Sequence, residues 1–100
     1  MKIRWSEAAL RDLREIGAFI GRDSRDAARR WVEVLQTRAE QVAEAPRSGR
    51  IVPEFARDEI REVLFHNYRI VYFLGRNEIA IMAVFEGHRL FPSGRIPPKE

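Results

Sequence analysis

The sequence predicts an α+β domain of order β-α-α-β-β-β, with a helical hairpin packed on an antiparallel sheet. Three observations predict it. The first half carries two apolar stripes of helical period, the period changes to two after Glu59, and tight-turn residues then divide the chain into short strands. Lys2–Trp5 reads as a short opening strand. Ser6 is a natural N-cap, and Leu10, Leu13, Gly17 and Ile20 follow at 3,4,3 spacing, with Arg11, Asp12, Arg14 and Glu15 largely outside that stripe. This amphipathic helix runs to about Arg22. Asp23 or Ser24 caps a second helix whose stripe is Ala28, Trp31, Val32, Leu35, Ala39 and Val42, ending ahead of Pro46. The few residues between the two make them a hairpin.

Pro46 to Arg57, containing PRSGRIVPEF, is a structured connection with a short strand around Arg50–Val52. Ile60–Phe65 is the next strand, His66-Asn67 a tight turn, Tyr68–Leu74 a strand, Gly75-Arg76-Asn77 a turn, and Glu78–Glu86 the last strand of the meander. From His88 to Glu100, Pro92, Gly94, Pro97 and Pro98 forbid a regular ladder, so about 90–100 is expected to be a flexible or partner-dependent tail on a single domain spanning 1–100.

Bulk properties narrow the function. One hundred residues, 45% hydrophobic and 33% charged, suit one soluble domain with a modest core. No apolar run approaches a membrane span, and the opening MKIRWSEAAL lacks a signal-peptide apolar segment, so a cytoplasmic location and no membrane partner are expected. Zero cysteines exclude disulfides and thiolate zinc sites. With only His66 and His88 besides, neither a metal nor another cofactor is expected. Net charge is +3, and sixteen of the eighteen basic residues are arginine, the side chain best suited to bidentate contact with phosphate or carboxylate.

Turn placement assigns the faces of the meander. Setting Phe65 opposite Tyr68 and Leu74 opposite Glu78 puts Glu62, Leu64, Arg69, Val71, Phe73, Ile79, Ile81, Ala83 and Phe85 on one face. Val63, Phe65, Tyr68, Ile70, Tyr72, Met82 and Val84 fall on the other. The helical hairpin covers one face only. The second needs a partner chain, or the tail folded back over it. Arg69 stands out, because an arginine on a core strand requires either a carboxylate partner or a function.

The strand–hairpin–meander order, with WSEAALRDLREI, a P-x-x-G-R loop and R-E-V-L…Y-R-I-V-Y ahead of a final apolar strand, resembles the RelE/ParE toxin superfamily of bacterial type II toxin–antitoxin modules from Trp5 to about Arg89. The resemblance implies a toxin neutralised by a cognate antitoxin in a hetero-oligomer. That antitoxin is expected on the face of Tyr68, Ile70, Tyr72, Met82 and Val84. RelE-like members cleave messenger RNA on the ribosome, whereas ParE-like members poison DNA gyrase. Carried over to this chain, the ribonuclease alternative would use Arg69 and Arg89 as a phosphate clamp, with Glu62 and His88 for proton transfer. The lysines of RelE-like toxins, however, fall at Ile60 and Glu62, and their late tyrosine falls near Arg95. The hairpin opening WSEAALRDL and the missing tyrosine look more like ParE, which needs a binding surface and no catalytic residues or cofactor. Arg89 and Arg95 are the expected gyrase-contacting candidates.

Overall fold

A computed structural model describes residues 1–98. The chain forms β1 (Lys2–Trp5), α1 (Glu7–Gly21), α2 (Arg25–Glu40), β2 (Arg50–Ile51), β3 (Ile60–Phe65), β4 (Tyr68–Leu74) and β5 (Glu78–Glu86). Short 3-10 turns follow at Gln41–Glu44 and Ser93–Arg95. All strands join one five-stranded sheet in the order β1-β5-β4-β3-β2. β1 runs parallel to β5 and the other pairs are antiparallel. No helix among the described residues is long and apolar enough to cross a membrane.

Local chemistry explains the hairpin. Ser6 Oγ accepts from Ala9 N–H at 3.0 Å and Ser24 Oγ from Ala27 N–H at 3.1 Å, satisfying donors that helix starts leave open. At Gly17 a Cβ would sit 3.1 Å from Val32 Cγ2, so the glycine permits the close approach of α1 and α2. Ala9, Leu13, Leu35, Ala39 and Val42 then bury against Val63, Tyr68, Ile70, Tyr72, Ile79, Ile81 and Val84.

The β3–β4 register is as the turn predicts, with Phe65 opposite Tyr68 and Glu62 opposite Val71. His66 makes that turn by adopting φ 55, the left-handed region uncommon for a residue with a side chain. The β4–β5 register departs from expectation. Gly75 N–H donates to Glu78 O at 2.9 Å, so Leu74 faces Ile79 rather than Glu78. A bulge then shifts the ladder between Val71 and Tyr72, leaving Met82 as the extra residue: Tyr72 faces Ile81, whereas Val71 faces Ala83. Ile79 and Ile81 therefore lie under the helices and not on the Arg69 face.

The expected open face is also corrected, because the helical hairpin packs on that side of the sheet. Tyr68, Ile70, Tyr72 and Val84 are buried beneath the hairpin, with Ile70 and Tyr72 wholly inaccessible. Met82 is half-buried at the bulge. The opposite face holds Val52, Ile60, Val71, Ala83 and Phe85, and it is covered by Phe55 from the β2–β3 connection and by Phe91 and Ile96 from the C-terminal segment. That segment is loop-like, as its prolines predict, and docks on its own sheet. Lys99 and Glu100 lie outside the described residues.

Candidate functional site

Arg69 enters β4 on the face away from the helices, where β3 presents Glu62 one position along. Its Nε donates to Glu62 Oε1 at 2.7 Å, while Nη1 and Nη2 form a bidentate pair with Glu54 at 2.8 Å each. Glu62 is fully buried, and its second oxygen accepts from Arg50 Nε at 2.6 Å. The guanidinium also lies 5.3 Å from the Phe85 ring centroid and 5.1 Å from that of Phe91. Hydrogen bonding to Arg69 pulls the Glu54 carboxyl down to about 2, and the same bond raises the Arg69 pKa.

This network welds the β2–β3 connection and the C-terminal segment to the sheet. Gly49 makes the weld possible from the other side: a Cβ there would fall inside contact distance of Tyr72 Oη and 2.8 Å from the Glu62 carbonyl oxygen. Tyr72 Oη in turn donates to Pro46 O at 2.6 Å, anchoring the connection below the strand.

A second clasp joins α1 to the C-terminal segment. Arg95 pairs bidentately with Asp12, the Nη2–Oδ1 contact measuring 2.9 Å, and Arg95 Nη1 lies 3.3 Å from the Met82 carbonyl oxygen. Asp12 Oδ2 also accepts from Val84 N–H at 2.9 Å. The clasp thus satisfies backbone groups of β5 beyond Ile81, where its pairing with β1 ends. Asp12 hydrogen bonding raises the Arg95 pKa.

The remaining sequence-predicted residues are placed differently. His88 is 74% exposed, with Nδ1 3.8 Å from Glu86 Oε2. Arg89 is exposed and has no ion pair among the described residues. Arg69 and His88 border one shallow depression with Arg50 and His66, but neither Glu62 nor Arg89 lines it. The four residues of the ribonuclease set are therefore not brought to one cavity, and Arg69 and Glu62 spend their polar atoms on ion pairs. Arg95 faces Asp12 instead of solvent. Sequence reasoning missed Asp12 and Glu54. Asp12 lies beside the Ala9–Leu13–Ile16 stripe, which is the one local sign that its carboxylate turns inward.

The fold and site define a small mixed α+β domain in which Arg69 and Arg95 are held in ion pairs and Arg89 is exposed just after β5. The family described as "ParE toxin of type II toxin-antitoxin system, parDE" matches residues 3–91. The protein named "Putative toxin Y4kP" from Sinorhizobium fredii (strain NBRC 101917 / NGR234) is 39% identical over 93 residues, covering 91% of this chain and 93% of that one. The fold is also that of a chain of the chromosomal ParDE TA system from P. aeruginosa, with a TM-score of 0.73 at 16% identity over 86% of this chain and 95% of that one. The chain belongs to the ParE toxin family of type II toxin–antitoxin systems.

Proposed function

We propose that this toxin inhibits DNA gyrase in the cytoplasm by protein–protein contact, without chemistry of its own, and that its cognate antitoxin holds it in an inactive hetero-oligomer. The observation that carries this reading is the commitment of Arg69 and Glu62 to each other. A phosphate clamp needs free guanidinium donors, and a general base needs a carboxylate within reach of substrate. Here the donors of Arg69 serve Glu62 and Glu54, and Glu62 is sealed from solvent. Ribosome-dependent messenger RNA cleavage would require that network to open first.

Contact with a large target needs an exposed group on a rigid support. Arg89 follows β5 directly, and the segment behind it is pinned by the Arg95–Asp12 clasp and by Arg57 Nη1 donating to Pro97 O at 2.6 Å. A guanidinium in such a place, desolvated when a partner docks, makes an interface anchor. In a pull-down with purified gyrase, the antitoxin-free toxin should be retained and the Arg89→Glu variant lost. Equal retention of Arg89→Glu would remove Arg89 from the interface, and no retention of the wild-type toxin would refute gyrase as the target.

A further inference from the structure

Two open hollows meet at the β3–β4 turn, and His66 lines both. The first, of about 410 Å3, has Arg50, Leu64, Arg69 and His88 among its walls. The second, of about 270 Å3, is lined by Arg30, Trp31, Val34 and Phe65 besides His66. No carboxylate lines either hollow among the described residues, whereas the space between α1 and the chain after β5 is walled by Asp12, Glu15 and Glu86. The Arg69 network is neutral in itself, with Arg50 and Arg69 set against Glu54 and Glu62. Arg50, however, spends only Nε on it: the side chain is 55% exposed, and both Nη groups are free among the described residues. Positive charge continues along α2. Arg22, Arg25, Arg29 and Arg30 are exposed and without an ion pair among the described residues, and only Asp23 and Asp26 oppose them in that stretch. Arg25 lies about 7.5 Å along the helix axis from Arg30.

Between these donors sits an aromatic cluster. Trp31, Phe65 and His66 meet edge to face, with ring centroids 6.2, 5.3 and 4.5 Å apart. The rings brace one another, and His66 is fixed in the turn by its left-handed backbone, so a flat ligand stacking there orders little that is not already ordered. We propose that this strip binds single-stranded DNA, with phosphates along Arg25, Arg29, Arg30 and the free Nη donors of Arg50, and a base against the Trp31–Phe65–His66 cluster. Duplex DNA is a poor occupant, because its bases turn their faces to one another and leave the aromatic hollow unused. An acidic peptide would satisfy the arginines alone. The choice of DNA over RNA rests on the gyrase reading. On that reading the strip holds a strand that gyrase has parted and opposes its resealing, a role separate from the protein contact at Arg89.

The test is fluorescence anisotropy of a labelled oligothymidine with the full, antitoxin-free toxin. Gyrase is absent, so failure here and failure of gyrase as the target are distinguishable. Affinity should fall with salt at a log–log slope of about −3, from four phosphate contacts at about 0.7 each. Trp5→Phe removes an indole N–H that has no hydrogen-bond partner and leaves Trp31 the sole tryptophan, whose emission should be quenched on binding. Arg30→Glu should weaken binding about tenfold or more and reduce the slope by about 0.7, with an unchanged melt because the residue is exposed. Arg76→Glu, the same charge change in the exposed β4–β5 turn, should stay within about twofold. Equal losses in the two variants, or unquenched Trp31, overturn the strip as the site. Duplex bound as tightly as the single strand overturns the stacking contact and the proposal with it. Oligouridine RNA bound about tenfold tighter than the DNA overturns the choice of strand. No binding at low salt refutes the proposal outright.

Discussion

Replacing Arg69 by methionine separates a structural arginine from a functional one. Methionine keeps much of the side-chain volume against Phe85 and Phe91 but removes every donor. Glu62 has a wholly buried side chain, and the substitution leaves it with Arg50 alone. Glu54 is 42% exposed and returns to water, so its share of the loss is small. Removing one partner of a buried pair costs about 3–5 kcal/mol, since the other charge stays desolvated. In a domain of this size each kcal/mol lowers the melting temperature by about 4–8 °C, so a fall of about 12 °C or more is expected. The double variant Glu62→Met/Arg69→Met removes both buried charges and should recover most of the lost stability. Denaturant unfolding followed by circular dichroism measures both. If Arg69→Met unfolds within about 0.5 kcal/mol of wild type, the weld is not structural, and Arg69 returns to the list of functional residues.

Three further outcomes follow from the same contacts. The Glu54 carboxyl is depressed from the usual 4.5 to about 2, so its contribution is present above pH 4.5 and is lost as pH falls toward 2. Acid titration of wild type should show that loss, and Glu54→Gln should flatten the curve in that window. Gly49→Ala should destabilise by about 2–3 kcal/mol, because its Cβ meets the Tyr72 hydroxyl and the backbone carbonyl of Glu62, and the carbonyl cannot swing aside; a melt within 1 °C of wild type would contradict it. Asp12→Ala strands Val84 N–H and Arg95 together. Hydrogen exchange should then quicken at Val84 and along residues 90–98, and unchanged protection would show that the clasp does not hold the segment.

Much of this fold was legible because local signals agree with the final packing. Ser6 and Ser24 cap the helices they precede, and the His66-Asn67 turn fixes the β3–β4 register. The second hairpin failed for a physical reason. Its turn closes through Gly75 and Glu78, and its ladder slips at Met82, next to backbone groups that Asp12 and Arg95, distant in sequence, engage. The slip turned Ile79 and Ile81 to the helix side. The face expected to await a partner is the core for a different reason: both faces read as apolar, and the pattern did not say which of them the hairpin covers. The Arg69 puzzle was visible, but its answer was only half so. Glu62 stood opposite Val71 in the predicted ladder, on the same face as Arg69 and two residues along, whereas Glu54 arrives from an irregular connection whose course a single sequence does not encode.

The central claim is that this toxin acts by contact with gyrase, and a supercoiling assay tests it most directly. Purified antitoxin-free toxin is titrated into gyrase, ATP and relaxed plasmid. Supercoiling should be lost and cleaved DNA should accumulate, and prior addition of the antitoxin should relieve both. Full supercoiling at toxin in large molar excess would contradict that claim.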